Sequence, residues 1–385
     1  MQIGILRRID FILLSFLLSC SSVEQSERAP LPIPVQRDSY WDDVAKILAG
    51  LEIESEKKSY IHLTDSSNYK AYSRRIDSYW KKAETNYFKE IRQFRDENIN
   101  NLTPTNTALY PLSGADFINL YHFNSDSPRF IMIGLQDPGK IADFHSLKSD
   151  EFKTAFRNLE SLVYELTYLN YYTSKRLDRD SKNRFISGVG PVILIFLKRF
   201  GFYISEFTEI HMDSEGMIQS GSAGNTPGKN HPGIRIRFYR EGDQFLRELF
   251  FFKIFLNYES GTQLTPEGKF FSRQNRFNLM FKSAEYIMQM EEYRPFLNTI
   301  LEKTDRVIED ESGAPIKAFR RDQWDIKVFG KYIGRIPLKN TPDVPFQDEL
   351  KELFETQKPP KLGFPFGYGV LKGKEKSNLI YIHRK

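Results

Sequence analysis

A strand, a glycine turn, a helix and a second strand follow one another within residues 108–135. Residues 108–112 and 129–135 are apolar runs, residues 113–116 (Ser-Gly-Ala-Asp) form turns readily, and residues 117–123 have helical character. This order is that of a βαβ unit, whose strands are parallel and joined by a right-handed crossover. The pattern predicts an α/β fold, with a mixed sheet and flanking helices, in which strands 108–112 and 129–135 pair in parallel.

The alternation of helix and strand continues toward the carboxyl terminus, so residues 101–385 are predicted to form one α/β domain. The further segments are helices over 151–172 and 190–200, strands over 202–212, 234–239 and 245–258, helices over 277–289 and 294–302, and a strand over 379–383. Residues 213–233 are rich in Gly, Ser and Pro, and so long a loop is typical of either a functional lid or disorder. Disorder is the favoured interpretation.

Residues 39–100 precede this domain and are predicted to be helical. A short helix over 40–49 is expected to end at Gly50. Across residues 67–97, aromatic and aliphatic residues recur at steps of three and four, which is the pattern of an amphipathic helix. Such an aromatic stripe can bind a glycan or a partner, but it is more often the face that a helix buries. Burial is therefore the favoured interpretation.

Composition excludes several classes of function. Hydrophobic residues make up 40% of the chain and aromatic residues 14%, which is ample for a packed core. The net charge of +5 is a small surplus and no long basic run occurs, so no nucleic-acid partner is expected. The six histidines are scattered, and the motifs His-Glu-x-x-His and Gly-x-Ser-x-Gly are absent. No metal site and no cofactor are predicted.

The amino-terminal residues have the layout of an export signal. Arg7 and Arg8 precede an apolar run over residues 11–18, which is too short to cross a bilayer as a helix. The run leads into Leu-Leu-Ser-Cys, ending at Cys20, and this motif resembles the bacterial lipobox in the looser form of spirochaete lipoproteins. The resemblance implies that residues 1–19 are a signal peptide and that Cys20 becomes lipid-modified.

Cys20 is the only cysteine in the chain, which fits this interpretation. A lone cysteine in an exported protein otherwise lacks a disulfide partner. The alternatives are an ordinary secretory signal or a misassigned start, with Cys20 incidental. Residues 20–38 contain Pro30, Pro32 and Pro34, which favour an extended backbone, so they are predicted to form a lipid-anchored linker. The membrane is the expected partner, and the periplasmic or outer face of the cell envelope is the expected location.

The segment Tyr-Pro-Leu-Ser-Gly-Ala-Asp at 110–116 is the strongest candidate for a ligand site. Open α/β sheets bind ligands at the carboxyl ends of their strands, where this turn is expected to lie. Ser113 and Asp116 are candidate catalytic residues, and Tyr110 and Gly114 are candidate ligand-binding residues. The segment lacks the Gly-x-Gly-x-x-Gly spacing of nucleotide sites. A turn in which Asp or Ser caps the next helix is the more common outcome.

A second candidate site contains three consecutive carboxylates, Glu309, Asp310 and Glu311, before a Ser-Gly turn. Such a group can hold a hard cation or supply a general base, and Asp310 is its candidate catalytic residue. The spacing is not that of a calcium loop, and adjacent carboxylates more often lie on a solvated turn, which is the favoured interpretation. Asp137, which follows the second strand of the βαβ unit, is a further candidate ligand-binding residue.

At these two motifs, and at residues 134–139, 364–369 and 377–379, the chain resembles a group of uncharacterised bacterial proteins, many of them exported. The group shares a Tyr-Pro-x-Ser-Gly-x-Asp turn, a Gly-Leu-acidic-Pro-x-Gly turn and an acidic Ser-Gly-x-Pro segment. The resemblance covers residues 108–385 and leaves the amino-terminal helices outside it. This chain departs from the group at Gln136, where a carboxylate is usual. The group has no established activity, so the resemblance implies a family and a fold but no reaction.

Two functions of different classes fit these observations. The leading hypothesis is a lipid-anchored envelope lipoprotein without enzymatic activity, whose aromatic-rich surfaces bind other envelope proteins or components. The alternative is an exported enzyme with a carboxylate-containing pocket above the sheet, formed by Ser113 and Asp116 with Asp137 or Asp310. This alternative predicts that Asp116 and Asp310 line one concave pocket.

Overall fold

The structure is a computed structural model of the chain. The residues it describes are 31–33, 39–53, 60–99, 107–141, 143–144, 149–169, 185–222, 230–257, 259–262, 265–337 and 343–385. The predicted signal peptide, Cys20 and most of the predicted linker lie outside the described residues. Within the described part of the chain, no helix combines the length and the apolar composition that a membrane span requires.

Twelve strands are described, and ten of them form one mixed sheet, which confirms the predicted α/β class. The strands are β1 (Thr107–Tyr110), β2 (Arg129–Gly134), β3 (Lys140–Ile141), β4 (Ile186–Ser187), β5 (Tyr203–Met212), β6 (Ile218–Ser220), β7 (His231–Tyr239), β8 (Arg247–Lys253), β9 (Phe277–Phe281), β10 (Thr304–Glu309), β11 (Trp324–Gly330) and β12 (Asn378–Arg384). The sheet order is β11-β12-β10-β9-β1-β2-β8-β7-β5-β6, and β3 pairs with β4 in a small separate sheet. The central strands from β10 to β8 are parallel, and the flanking strands are antiparallel.

Helices cover both faces of this sheet. They are α1 (Ser39–Leu48), α2 (Ile61–Thr64), α3 (Ser67–Ala83), α4 (Lys89–Asn98), α5 (Phe117–Phe123), α6 (Ser149–Tyr164), α7 (Gly190–Arg199), α8 (Pro266–Ser272), α9 (Arg294–Glu302) and α10 (Asp348–Gln357). Successive residues of a strand point to opposite faces. Accordingly, Ala108 and Tyr110 pack in the core beneath α1 to α7, whereas Leu109 packs in the core beneath α8 to α10. The result is a three-layer α/β/α arrangement.

The predicted βαβ unit is present. Strands β1 and β2 pair in parallel, with Thr107 opposite Arg129 and Tyr110 opposite Met132, and α5 connects them. The parallel pairing predicted from the sequence is therefore confirmed. Strand β1 ends earlier than predicted because Leu112 has a φ of 62°, which lies outside the extended region.

The aromatic stripe of the amino-terminal segment is a buried helix face, as predicted. Helix α3 buries Tyr69, Tyr72 and Ile76, and these residues join the same core as the helices that cover β1. A short π-helical turn over Glu84–Phe88 connects α3 to α4. Because the stripe is buried in this core, where Tyr72 packs on Phe156 of α6, it is not a surface for a glycan or a partner.

One predicted helix is wrong. Residues 277–289 do not form a helix, because Phe277–Phe281 is strand β9, and all five of its residues are buried. A parallel strand with both faces covered reads as a continuous apolar run, which periodicity alone does not distinguish from a buried helix. The helix predicted over 294–302 is confirmed as α9.

The loop predicted over 213–233 is also partly wrong. Strand β6 lies inside it and pairs with β5, and strand β7 begins at His231. The Asp213 carboxylate accepts hydrogen bonds from the main-chain N–H groups of Glu215 and Met217, both at 2.9 Å, which closes a tight hairpin. Residues 223–229 of the predicted loop lie outside the described residues.

Candidate functional site

The connections of the parallel strands change direction between β1 and β9. From β1 the sheet order leads through β2 to β8 on one side, whereas β9 and β10 lie on the other. Strands β1 and β9 pair in parallel, with Thr107 opposite Phe277. A crevice opens outside the carboxyl ends of the strands at such a topological switch point, and open α/β sheets bind their ligands there.

A pocket lies at this switch point. The space available to the centres of water molecules is about 80 Å³, which is room for several waters, since each needs roughly 10–15 Å³ on this measure. Its walls include residues from 110–116 at the end of β1, from 134–136 at the end of β2, from 282–287 after β9, and Tyr368. The segment singled out at 110–116 is therefore one wall of the pocket.

The turn after β1 is built as the sequence suggested. The main-chain N–H of Ser113 donates to the carbonyl oxygen of Ile133 at 2.7 Å, and the Ser113 hydroxyl lies 3.1 Å from the same oxygen. Gly114 has a φ of 51°, a conformation that favours glycine. Asp116 caps α5 by accepting from the main-chain N–H of Asn119 at 3.2 Å. Ser113, Gly114 and Asp116 all line the pocket.

Asp116 forms a buried ion pair with Lys282, a residue that belongs to neither of the two sequence motifs. The Lys282 Nζ lies 2.8 Å from Asp116 Oδ2, and each side chain is only 4% exposed. Lys282 directly follows β9, so pairing of β9 with β1 brings these two residues together. Charges buried this deeply are costly unless they are paired. Separating the segments that follow β1 and β9 would break this pair, so the ion pair holds the two segments in contact.

The expectation that the Glu309–Glu311 carboxylates lie on a solvated turn is wrong, because all three are at most 2% exposed. Asp310 does not line the pocket but lies behind its wall. Its Oδ1 accepts from the main-chain N–H of Ser283 at 3.2 Å, and its Oδ2 accepts from that of Tyr368 at 2.7 Å. A Cβ at Gly367 would overlap the Asp310 carboxylate, so glycine is required there for this close approach.

Of the two remaining candidate residues, Tyr110 lies in the pocket wall and Asp137 does not. Tyr110 lines the pocket, and its hydroxyl donates to the carbonyl oxygen of Lys282 at 3.0 Å. Asp137 lies outside the lining, with a side chain 60% exposed and an ion pair to Lys253 at 2.5 Å. The prediction of Asp137 as a ligand-binding residue is therefore not supported by its position.

Lys282, Ser283 and Glu285 line the pocket after β9 but were not predicted from the sequence. The reason is the incorrect helix, which placed all three in the middle of a regular element. The available signal was the similarity between two segments: an apolar run followed by a polar turn occurs at 277–283 as it does at 108–113.

Two buried polar atoms at the pocket have no hydrogen-bond partner within the described ranges. Among the described residues, neither Gln136 Oε1 nor Ser283 Oγ has a partner, although both atoms are buried. Gln136 is only 4% exposed, and both residues line the pocket. Because nearly all buried polar groups in proteins are hydrogen-bonded, two unsatisfied atoms in one pocket indicate a site that a ligand or ordered water completes.

Comparison with known protein families, with characterised proteins and with solved structures finds no match for this chain. Within the described ranges, no group of three or more His, Cys, Asp or Glu residues is arranged to hold a metal ion.

Proposed function

We propose that the chain is a lipid-anchored envelope protein whose α/β domain binds a small polar ligand in the pocket at the β1/β9 switch point. One observation carries the proposal: Gln136 is 4% exposed, and its amide oxygen at this pocket has no hydrogen-bond partner in the part of the chain that the structure describes. A buried acceptor without a donor lowers stability. A ligand donor that reaches it recovers this cost on binding.

An exported enzyme is the second candidate, favoured by Ser113 and Asp116 on one pocket wall with Asp310 behind another. The contacts of these residues support binding better. The Ser113 hydroxyl lies 3.1 Å and 3.2 Å from two main-chain carbonyl oxygens, which is not the environment of an activated nucleophile. Asp116 is bound to Lys282 and to α5, so its carboxylate is engaged in holding the fold.

Gln136→Leu tests the binding function, because leucine has a similar volume and no polar atoms. The variant is expected to be as stable as wild type or more stable by about 1 kcal/mol, since it removes an unsatisfied buried acceptor. It is also expected to lose ligand binding. Screening the full chain in detergent against a panel of small polar compounds, with thermal unfolding as the readout, measures both effects.

Gln289→Leu is the matched control. The Gln289 side chain donates to the carbonyl oxygens of Glu311 and Gly313 at 2.9 Å and 3.2 Å. Its loss is expected to destabilise the fold by about 1–3 kcal/mol, since it leaves buried partners unpaired. If Gln136→Leu destabilises the protein to the same extent, Gln136 has a structural role and the proposal fails.

Membrane attachment is proposed from the lipobox-like motif ending at Cys20. Cys20→Ala is expected to move the protein from the membrane fraction to the soluble exported fraction, because several acyl chains on one cysteine give stable anchoring. Fractionation of cells that express each form measures this. A Cys20→Ala variant that stays with the membrane would show that the anchor lies elsewhere.

A further inference from the structure

The pocket wall after β9 has a backbone conformation that residues other than glycine rarely adopt. Ser283, Glu285 and Tyr286 have φ values of 55°, 54° and 59°, and Leu112, which also lines the pocket, has 62°. Only one other non-glycine residue of the described chain has a positive φ. Strain of this kind persists where the surroundings hold it, and it clusters at ligand sites.

The surroundings hold this segment at several points. The main-chain N–H of Ser283 donates to Asp310, and that of Ala284 donates to the hydroxyl of Ser312 at 2.8 Å. The Tyr368 hydroxyl donates to the carbonyl oxygen of Ser283 at 3.0 Å. The strained backbone therefore determines which side chains of this segment reach the pocket.

Glu285 is the unpaired charge on this wall. It lines the pocket, and no ion pair or hydrogen bond to its carboxylate occurs among the described residues. Burial raises the pKa of Glu285, because its carboxylate loses water and gains no protein donor in exchange. A cation that enters the pocket would restore the missing interaction.

The charges around the pocket favour a cationic ligand. Lys282, the only cationic side chain among the described residues of the lining, is already paired with Asp116 at 2.8 Å. The charges of Lys282 and Asp116 cancel, so the Glu285 carboxylate gives this wall a net negative charge. The unsatisfied Gln136 Oε1 is a hydrogen-bond acceptor at the same pocket, so the site offers a carboxylate and an amide oxygen to a donor.

We propose that this pocket binds its ligand through a protonated primary amine, which pairs with Glu285 and donates a hydrogen bond to Gln136 Oε1. A primary ammonium carries three donors and no acceptor, which matches a carboxylate, an amide oxygen and the Ser283 hydroxyl. Charge-assisted hydrogen bonds to a partly buried carboxylate are strong. The inference rests on the proposed ligand-binding function and names the chemical class of the ligand.

Three probes of equal length test the inference on the full chain in detergent: n-butylammonium, n-butanol and butyrate. Ligands this small are expected to bind in the millimolar range, so ligand-observed NMR at constant ionic strength follows the binding. Butylammonium is expected to bind, and butanol and butyrate are expected to bind at least about tenfold more weakly. Glu285→Gln is expected to weaken butylammonium binding by about tenfold without lowering the thermal stability.

Glu292→Gln, at an exposed position outside the pocket, is the matched control and is expected to bind butylammonium as wild type does. If butanol or butyrate binds best and Gln136→Leu abolishes that binding, the amine assignment is wrong but the ligand-binding function stands. If Ca²⁺ or Mg²⁺ displaces butylammonium at lower concentration, the site prefers a metal and the inference fails. If no probe binds and the wider panel gives no ligand, both proposals fail.

Discussion

Lys282→Met is expected to lower the free energy of unfolding by about 3–5 kcal/mol. Methionine fills a similar volume but removes the ammonium group, and the Asp116 carboxylate then stays buried without its cation. Asn119 still donates to Asp116, through its main-chain N–H and its side-chain amide, but these neutral donors do not balance a buried charge. Removing one partner of a buried ion pair costs more than removing both, because the remaining charge is uncompensated.

Urea unfolding of the full chain near neutral pH measures this effect. Lys253→Met is the matched control, because the Lys253–Asp137 ion pair is exposed and its loss is expected to cost less than about 1 kcal/mol. The double variant Lys282→Met with Asp116→Asn is expected to recover part of the loss, since no unpaired charge remains. A Lys282→Met variant within about 1 kcal/mol of wild type would contradict the burial of the pair.

The same ion pair changes the expected effect of Asp116→Asn. From the sequence alone, asparagine is expected to cap α5 nearly as well as aspartate and to cost little. In the structure, Asn would remove the carboxylate that pairs with the buried Lys282 ammonium, so a loss of several kcal/mol is expected instead. The cap lies three residues from its partner Asn119, whereas Lys282 lies 166 residues away. Local signals therefore reveal the cap but not the ion pair.

In the fold, too, features formed by neighbouring residues could be predicted from the sequence, whereas features formed by distant segments could not. The βαβ unit over β1, α5 and β2 was predicted because its strands, turn and helix are contiguous in the sequence. The switch point was not predicted, because it depends on β9, which pairs with β1 from far along the chain. Since β9 is buried along its whole length, it has no polar alternation to identify it as a strand.

The candidate site was predicted only in part for a related reason. Ser113, Gly114 and Asp116 follow a strand recognised from the sequence, so their place at the carboxyl end of the sheet could be expected. The burial of Asp310 could not, because its partners Ser283 and Tyr368 come from two separate segments. Adjacent carboxylates resemble a solvated turn until tertiary packing covers them.

The buried carboxylates also make the free energy of unfolding depend on pH, and a substitution at Glu309 tests this dependence. Glu309 is fully buried, and its Oε2 accepts from the main-chain N–H of Ala314 at 2.8 Å. Its Oε1 has no donor among the described residues. Burial raises the pKa of Glu309 well above the ordinary value, and the charge of neighbouring Asp310 adds to the shift. The folded state therefore keeps a proton that the unfolded state releases.

The sign of the effect follows from linkage. A carboxyl group whose pKa is raised by folding favours the folded state below its unfolded pKa of about 4.3, and this contribution is lost as the pH rises toward the folded pKa. Wild type is therefore expected to lose about 1 kcal/mol per pH unit from this group above about pH 5, until the pH reaches the folded pKa. Glutamine has nearly the same shape, keeps an acceptor for Ala314 and does not titrate.

Glu309→Gln is accordingly expected to be more stable than wild type by about 2–4 kcal/mol at about pH 8, with the difference shrinking toward zero near about pH 5. Urea unfolding at several pH values across this range measures the difference. Glu302→Gln, at an exposed position on α9, is the control and is expected to show no such trend. A difference between Glu309→Gln and wild type that stays constant with pH would mean that Glu309 is ionised in the folded state. The Glu309 carboxyl group accepts one main-chain hydrogen bond, its second oxygen has no donor among the described residues, and Asp310 lies beside it. Ionising such a buried group is costly, so we expect the proton to stay bound.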